Sequence, residues 1–315
     1  MKRFYPEGRV TDGGQKRLVF RSPAAVAEAA AGGEVLEARA SLCDAAHNLI
    51  VDLGCMKGII PREEGAIGIA DGRVRDIALI SRVNKPVSFI VTRVGADQKG
   101  EPYALLSRRA AQERCQREYI DALGLGDVID ARVTHLENFG AFCDIGCGIP
   151  ALLPIDAISV SRIAHPADRF SVGMDIKAVV RGVDGAGRIS LSHRELLGTW
   201  EENAALFSQG ETVSGIVRSV EEYGVFVELL PNLAGLAEPK SSVRAGQQAS
   251  VYIKSLLPDK MKVKLIMIDA FDADYAPAPI KYFFTGDHMD AWRYSPEGCR
   301  KQIETVFAEP VSALL

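Results

Sequence analysis

The 315-residue sequence lacks the features of several large protein classes. No run approaches ~18 apolar residues, the length that spans a bilayer, and residues 1–6 are not followed by the apolar core of a signal peptide. There is no glycine-rich phosphate loop, nucleophile elbow or H-E-x-x-H motif, and residues 287–290 form the one cluster that mixes acidic residues with histidine. We therefore predict a cytoplasmic chain that is not an enzyme, has no membrane contact, and uses no cofactor and no metal.

Paired cysteines and a strong excess of positive charge are also missing. The six cysteines are scattered without a C-x-x-C pair, which favours free thiols in a reducing cytosol over a zinc site. The 37 Lys and Arg residues against 41 Asp and Glu give a net charge of -4. A protein that holds nucleic acid by phosphate neutralisation alone is usually basic. Any affinity for RNA must therefore come largely from stacking and from local basic residues.

What the sequence does contain is an internal repeat. Residues 138–144 (NFGAFCD) match residues 222–228 (EYGVFVE), and the glycine that opens each copy keeps the same offset, since 223 − 139 = 84 and 210 − 126 = 84. A weaker copy begins at Gly33 and ends near Arg108, with its aromatic residues mostly lost. A repeat of this kind indicates three copies of one structural unit.

Strand patterns dominate each copy. Apolar and polar residues alternate along 129–134, and residues 176–180 and 250–254 are rich in β-branched side chains. Five short strands in each copy are too few for two packed sheets, whereas closure into one barrel removes the exposed edges. The fold class predicted is mainly β, with three tandem five-stranded OB-fold barrels joined by short helices.

The segments between the barrels have helical patterns. We predict helices over 24–31, capped by Ser22 with Pro23 at the first position, and over 108–123 and 192–208. The alternative for residues 24–31 is a poorly ordered arm instead of a helix. Residues 275–279 indicate an extended linker, and the aromatic residues beyond it either wrap onto a barrel or have no assigned role. The predicted domains are an N-terminal arm and helix at 1–32, a degenerate OB domain at 33–109, a helical linker at 110–124, an OB domain at 125–194, a helical linker at 195–208, an OB domain at 209–268, and a C-terminal extension at 269–315.

These motifs carry a family resemblance. The run G-[DE]-x-V, F-G-x-F-x-D, G-L and R-I-S-L-S resembles the S-one RNA-binding domain, named after the first protein of the bacterial small ribosomal subunit. The resemblance covers about residues 33–268, and residues 33–86 are similar to the degenerate leading domains of short S-one homologues. It implies an OB fold with its FGxF aromatics on an outer groove. The family also tends to place a histidine after the G-L step, where this chain has Pro154 and Glu238.

The resemblance also implies which residues meet RNA. Phe139 and Phe142 would stack bases in the middle barrel, as would Tyr223 and Phe226 in the third, because an exposed ring stacks on any base for ~1–3 kcal/mol. The family's polar contacts correspond to Asp184, Arg188 and Lys262. Strand positions predict further outward basic side chains at Arg132, Lys177, Arg218 and Lys254. The alternatives are that the phenylalanines form the barrel core, that Arg188 and Lys262 lie on a solvated face, and that Asp184 is a turn residue.

The first copy differs in a way that suggests another role. It has Ile50 at the second aromatic position and Tyr103 where the middle copy has Arg188. We therefore expect residues 33–109 to dock onto the ribosome or another protein. The leading function is a single-stranded RNA-binding protein of the small ribosomal subunit and translation. The alternatives are an accessory factor in RNA decay or transcription, barrels turned to protein docking, or an enzyme.

Overall fold

The computed structural model describes residues 4–12, 18–240, 242–273 and 279–307. Most of the predicted linker, residues 275–278, lies outside these ranges. The described residues divide into two compact units. One lies within Met1–Leu123, Asp130–Arg132 and Asp144–Pro150, and the other lies within Gly124–Ile129, Val133–Cys143 and Ala151–Leu315.

Three closed barrels of five strands each make up most of the chain, which confirms the predicted fold class. The strands of the first barrel, in the order β1-β2-β3-β5-β4, are β1 (Val35–Cys43), β2 (Leu49–Asp52), β3 (Lys57–Ile60), β4 (Pro86–Ala96) and β5 (Pro102–Ser107). Those of the middle barrel, ordered β10-β8-β7-β6-β9, are β6 (Val128–Glu137), β7 (Gly140–Asp144), β8 (Pro150–Pro154), β9 (Asp175–Val183) and β10 (Ile189–Ser192).

The third barrel follows the same plan. Its strands, ordered β11-β12-β13-β15-β14, are β11 (Thr212–Glu221), β12 (Gly224–Leu230), β13 (Leu233–Ala237), β14 (Gln248–Leu257) and β15 (Lys262–Phe271). In all three barrels a parallel pair joins otherwise antiparallel strands and closes the ring, namely β3 with β5, β8 with β10, and β13 with β15. A separate antiparallel pair, β16 (Ala291–Arg293) and β17 (Glu304–Val306), lies in the C-terminal extension.

The helices are short. They are α1 (Arg9–Asp12), α2 (Pro23–Gly32), α3 (Ile77–Ile80), α4 (Arg108–Glu118) and α5 (Trp200–Ala204). Helix α2 follows its sequence signals, because Ser22 Oγ accepts a hydrogen bond from Ala25 N at 3.3 Å and Gly33 ends the helix with φ of 59°. Single 3-10 turns cover Leu18–Arg21, Arg62–Glu64, Ile120–Ala122, Ile155–Ala157, Pro166–Asp168, Arg194–Leu197 and Pro258–Lys260.

Two predicted helices differ from the structure. Helix α4 stops at Glu118, five residues before the predicted end. The predicted helix over 192–208 was wrong, since a 3-10 turn and α5 replace it. Gly198 breaks the segment with φ of 84°, and Thr199 restarts it through a capping box with Glu202. Local composition favoured one helix, but the chain turns here to bury Trp200.

An acidic residue near the start of the chain organises the first unit. The carboxylate of Glu7 is buried, and its oxygens lie 2.7 Å from Arg108 Nε and 3.2 Å from Arg82 Nη1, and accept from Ser88 N at 3.0 Å. Burial alone would raise the pKa of Glu7, but the charges of Arg108 and Arg82 lower it below its usual value. Glu7 N donates to Asp144 Oδ2 at 2.7 Å, and burial together with the charge of Glu7 raises the pKa of Asp144 to about 7.

The third barrel has a hydrophobic core that extends beyond its own strands. It joins the interior of the third barrel to α5 and to residues of the C-terminal extension. Trp292, Tyr294 and Phe307 of the extension are all buried in it. These three aromatic residues of the extension therefore pack into the fold.

Candidate RNA interface

The two aromatic residues of the middle barrel stand on its outer surface. Strand β7 turns Ala141 and Cys143 into the barrel, where both are fully buried, and so Phe142 points outward. Phe139, just before the strand, is 55% exposed. The two rings meet edge to face with centroids 6.1 Å apart and an interplanar angle of 89°. The alternative that they form the barrel core therefore does not hold for this pair.

The third barrel repeats this arrangement almost unchanged. Val225 and Val227 fill the interior, Phe226 points outward, and Tyr223 is 67% exposed. Its ring lies 6.1 Å from that of Phe226 at an angle of 87°. Each pair thus offers one ring face to solvent, held by the other ring, as a stacking site for a nucleobase.

The glycine between the two aromatics is required by close backbone approach. A Cβ on Gly140 would overlap the carbonyl oxygen of Leu153, and one on Gly224 would lie 2.6 Å from that of Ala237. Both oxygens belong to the next strand of their barrel. The glycine therefore lets the aromatic strand and its neighbour come together directly beneath the exposed rings.

The polar residues of the middle barrel are engaged with each other. Asp184 accepts from the backbone nitrogens of Ala186 and Arg188 at 2.9 Å each, and from Arg188 Nε at 2.7 Å. The hydrogen bonds from Arg188 lower the pKa of Asp184. Asp184 is thus the turn residue of the β9–β10 hairpin. Arg188 stays exposed on the surface, paired with that carboxylate.

The four predicted outward basic residues fall into different surroundings. Arg132 Nη1 donates to the Glu7 carbonyl oxygen at 3.4 Å, and the backbone N–H of Lys177 donates to Tyr282 Oη at 2.9 Å. Arg218 is paired with Glu228 at 2.9 Å and is nearly buried. Lys254 is exposed. The strand pattern gives the direction of each side chain but not the segments that cover it.

Strand register reveals a basic residue that the sequence analysis missed. In the third barrel Phe226 pairs with Leu236 on β13, and Leu236 pairs with Lys264 on β15. All three point outward, so Lys264 lies two strands, or ~10 Å, from Phe226 in one row across the barrel. Lys262 lies one outward position further along β15. The alternation of β15 puts Lys264 on the outer face, but only the pairing places it beside the aromatics.

The first barrel carries no aromatic pair. Ile50 and Tyr103 are half-buried, and His47 lies in the turn before β2 with φ of 61°. Its exposed large apolar residues are instead aliphatic, namely Leu42, Ile77 and Ile80. Stacking chemistry is therefore concentrated on the second and third barrels. Among the described residues no cluster of His, Cys, Asp or Glu suits a metal ion, and no helix there is long and apolar enough to cross a membrane.

A family model of the S1 RNA binding domain matches residues 123–194, the middle barrel with its Phe139–Phe142 pair. The middle barrel belongs to the S1 RNA-binding domain family. This confirms the resemblance found in the sequence. The S1 domain model does not extend over the other two barrels, whose assignment rests on the repeat and on their shared strand order.

Over 70% of its length the chain is similar to proteins named as small ribosomal subunit proteins. It is 30% identical over 236 residues to small ribosomal subunit protein bS1 of Leuconostoc lactis, which covers 70% of this chain and 53% of that protein. It is also 30% identical over 236 residues to the bS1 homolog of Bacillus subtilis (strain 168), covering 70% and 59%. The chain thus spans a little over half the length of these relatives. A multidomain protein with nucleic acid binding domains from Streptococcus pneumoniae TIGR4 matches 75% of this chain and 74% of its own, at 16% identity and a TM-score of 0.24.

Proposed function

We propose that the chain is a cytoplasmic protein that binds single-stranded RNA and acts in translation at the small ribosomal subunit, without transforming the RNA. The observation that carries the proposal is the repeated ring pair. Two barrels present an exposed aromatic beside a second ring in the same edge-to-face geometry. Base stacking does not depend on the RNA sequence and requires little positive charge on the protein, which suits a chain whose net charge is -4. The similarity to bS1 proteins supports the ribosomal assignment.

Fluorescence anisotropy of a labelled RNA of about 12 nucleotides tests the stacking sites. The variant Phe139→Ala/Tyr223→Ala removes the more exposed ring of each pair. At ~1–3 kcal/mol per stacked base, each ring accounts for roughly a 5- to 150-fold change in affinity. The matched control is Val172→Ala/Ile77→Ala, which truncates two side chains that are as exposed but lie outside the ring pairs. Equal affinity of the two variants would rule out stacking as the basis of binding.

The first barrel is proposed to meet the ribosome. Its exposed aliphatic residues Leu42 and Ile77 are suited to a protein surface rather than to stacked bases. The variant Leu42→Glu/Ile77→Glu changes only exposed side chains, so the fold is retained. We expect it to lose co-sedimentation with small subunits at low salt while its affinity for free RNA stays within twofold. Unchanged co-sedimentation would instead favour an accessory role in RNA decay or transcription, and shortening of the RNA by the purified chain would favour an enzyme.

A further inference from the structure

A buried cluster of charges joins the second and third barrels. Glu228 lies on the outer face of β12, two residues after Phe226, yet it is only 5% exposed. Its carboxylate binds Arg218 of the same barrel and Arg169, which belongs to the β8–β9 connection of the middle barrel. Asp168, next to Arg169, lies 3.3 Å from Arg218. Charges of opposite sign therefore alternate across the junction, and separating the barrels would break the Arg169–Glu228 and Asp168–Arg218 ion pairs.

A fully buried amide joins the same two barrels. Asn232, in the β12–β13 turn, accepts a hydrogen bond from Val160 N at 2.9 Å. Its Nδ2 donates to the carbonyl oxygens of Arg194 at 2.8 Å and Gly198 at 2.9 Å. These three partners all precede the third barrel in sequence. One side chain thus satisfies three backbone groups of the middle barrel and the segment after it.

The C-terminal extension forms hydrogen bonds to both barrels and to α5 at this junction. The carbonyl oxygen of Asp287 accepts from Val128 N at the start of β6, and Met289 N donates to Gly126 O, both at 2.9 Å. Further along, Tyr294 O accepts from Trp200 N of α5 at 3.0 Å, and the Tyr294 hydroxyl donates to the carbonyl oxygen of Asn232. The extension therefore contacts the middle barrel, α5 and the third barrel in turn.

We propose that the second and third barrels, with residues 282–307, form one rigid RNA-binding tandem that selects single-stranded RNA by the spacing of two stacked stretches. The inference rests on the proposed function and adds the spacing between the two stacked stretches as the property by which the RNA is selected. Because buried ion pairs and hydrogen bonds connect the two barrels, the pairs at Phe139 and Tyr223 are held at one separation. RNA that matches this separation occupies both pairs without ordering a linker, whereas a flexible tether accepts many spacings.

A series of RNAs with graded spacing tests the proposal on the full chain. Each RNA carries two four-nucleotide stretches joined by a run of abasic nucleotides, and its affinity is measured by anisotropy against the single stretch. We expect one spacer length to bind at least 100-fold more tightly than the single stretch, with a steep loss for shorter spacers and a gradual decline for longer ones, because the abasic spacer is itself flexible. A flat profile without an optimal length would overturn the rigid tandem.

Variants at the junction separate rigidity from stacking. Asn232→Ala and the pair Asp168→Asn/Arg169→Gln leave all four rings in place. We expect them to flatten the spacer profile while binding the single stretch within threefold of the parent chain. An unchanged sharp profile in a folded variant would contradict the role of the junction.

A direct measurement covers the case in which a junction variant fails to fold. Spin labels at Val172 and Asp259, both exposed, report the distance between the two barrels in the parent chain once Cys43 and Cys55 are replaced by serine. We expect one narrow distance distribution with or without RNA, and a broad distribution would overturn the proposal. Binding of the single stretch with a flat profile refutes the tandem alone, whereas no binding of any RNA refutes the proposed function itself.

Discussion

The β14–β15 hairpin of the third barrel should set most of the salt dependence of RNA binding. Lys254, Lys260, Lys262 and Lys264 are all exposed, and within the described ranges none of them has an ion-pair partner. Lys264 lies in the row that contains Phe226. Lysines placed in this way can meet the phosphates that flank a stacked base.

The middle barrel provides the contrast. In its β9–β10 hairpin Arg188 lies 2.7 Å from Asp184, and Arg181 lies 3.8 Å from Asp156. Each carboxylate offsets much of the positive potential of its arginine and repels a phosphate. The two barrels therefore differ in charge chemistry although their ring pairs are alike.

The size of the expected change in salt dependence follows from counterion release. For single-stranded nucleic acid the slope of log K against log salt concentration is about −0.7 per neutralised phosphate. Changing all four lysines to glutamine should make the slope shallower by up to about 2.8, or roughly 50-fold between 50 and 200 mM salt. The measurement is anisotropy over a salt series, with Arg181→Gln/Arg188→Gln as the matched control. A change below about 0.7 for the lysine variant, less than one phosphate contact, would refute the argument.

Three further predictions concern stability and are measured by urea unfolding. Glu7→Gln leaves the buried guanidinium of Arg108 without its carboxylate and should cost about 3–5 kcal/mol; a loss below ~1 kcal/mol would contradict the role of the network. Burial lowers the pKa of His193 from 6.5 to about 4, so the free energy of unfolding should fall by about 3 kcal/mol as the pH falls from 6.5 toward 4. His193→Asn should flatten the pH dependence of unfolding in that window, and an unaltered pH dependence would contradict this prediction. Gly140→Ala should destabilise by about 1–3 kcal/mol through overlap with Leu153 O, unlike Gly182→Ala, where a Cβ meets nothing within 4 Å.

Local pattern predicted the parts of this fold that depend on local geometry. The 84-residue offset and the period-two alternation led to repeated barrels, because a strand alternates its residues between two faces without reference to the rest of the chain. The outward direction of the rings of Phe142 and Phe226 was an implication of the family resemblance. The capped helix α2 followed for the same reason, since Ser22 and Gly33 act on adjacent backbone.

What the sequence did not predict depends on contacts between distant segments. Arg218 was expected on an open surface because the pattern of β11 cannot show that Arg169 and Glu228 close over it. Lys264 was overlooked because its alignment with Phe226 requires the parallel pairing of β13 with β15. The break at Gly198 likewise follows from burial of Trp200. The predicted RNA contacts and domain bounds themselves stay predictions.

The last residue of the FGxFxD motif connects the barrels to what comes before them. Asp144 and Glu228 occupy the same place in their copies, since 228 − 144 = 84, and both are buried on an outer face. Asp144 accepts the backbone of Glu7, and Glu228 accepts Arg169, so in each copy the acid receives a segment that precedes it in the chain. The motif predicted to form an RNA-binding surface thus also contains a carboxylate that binds a preceding segment of the chain. Substitution of either acid should loosen the joints of the molecule while its stacking rings remain intact.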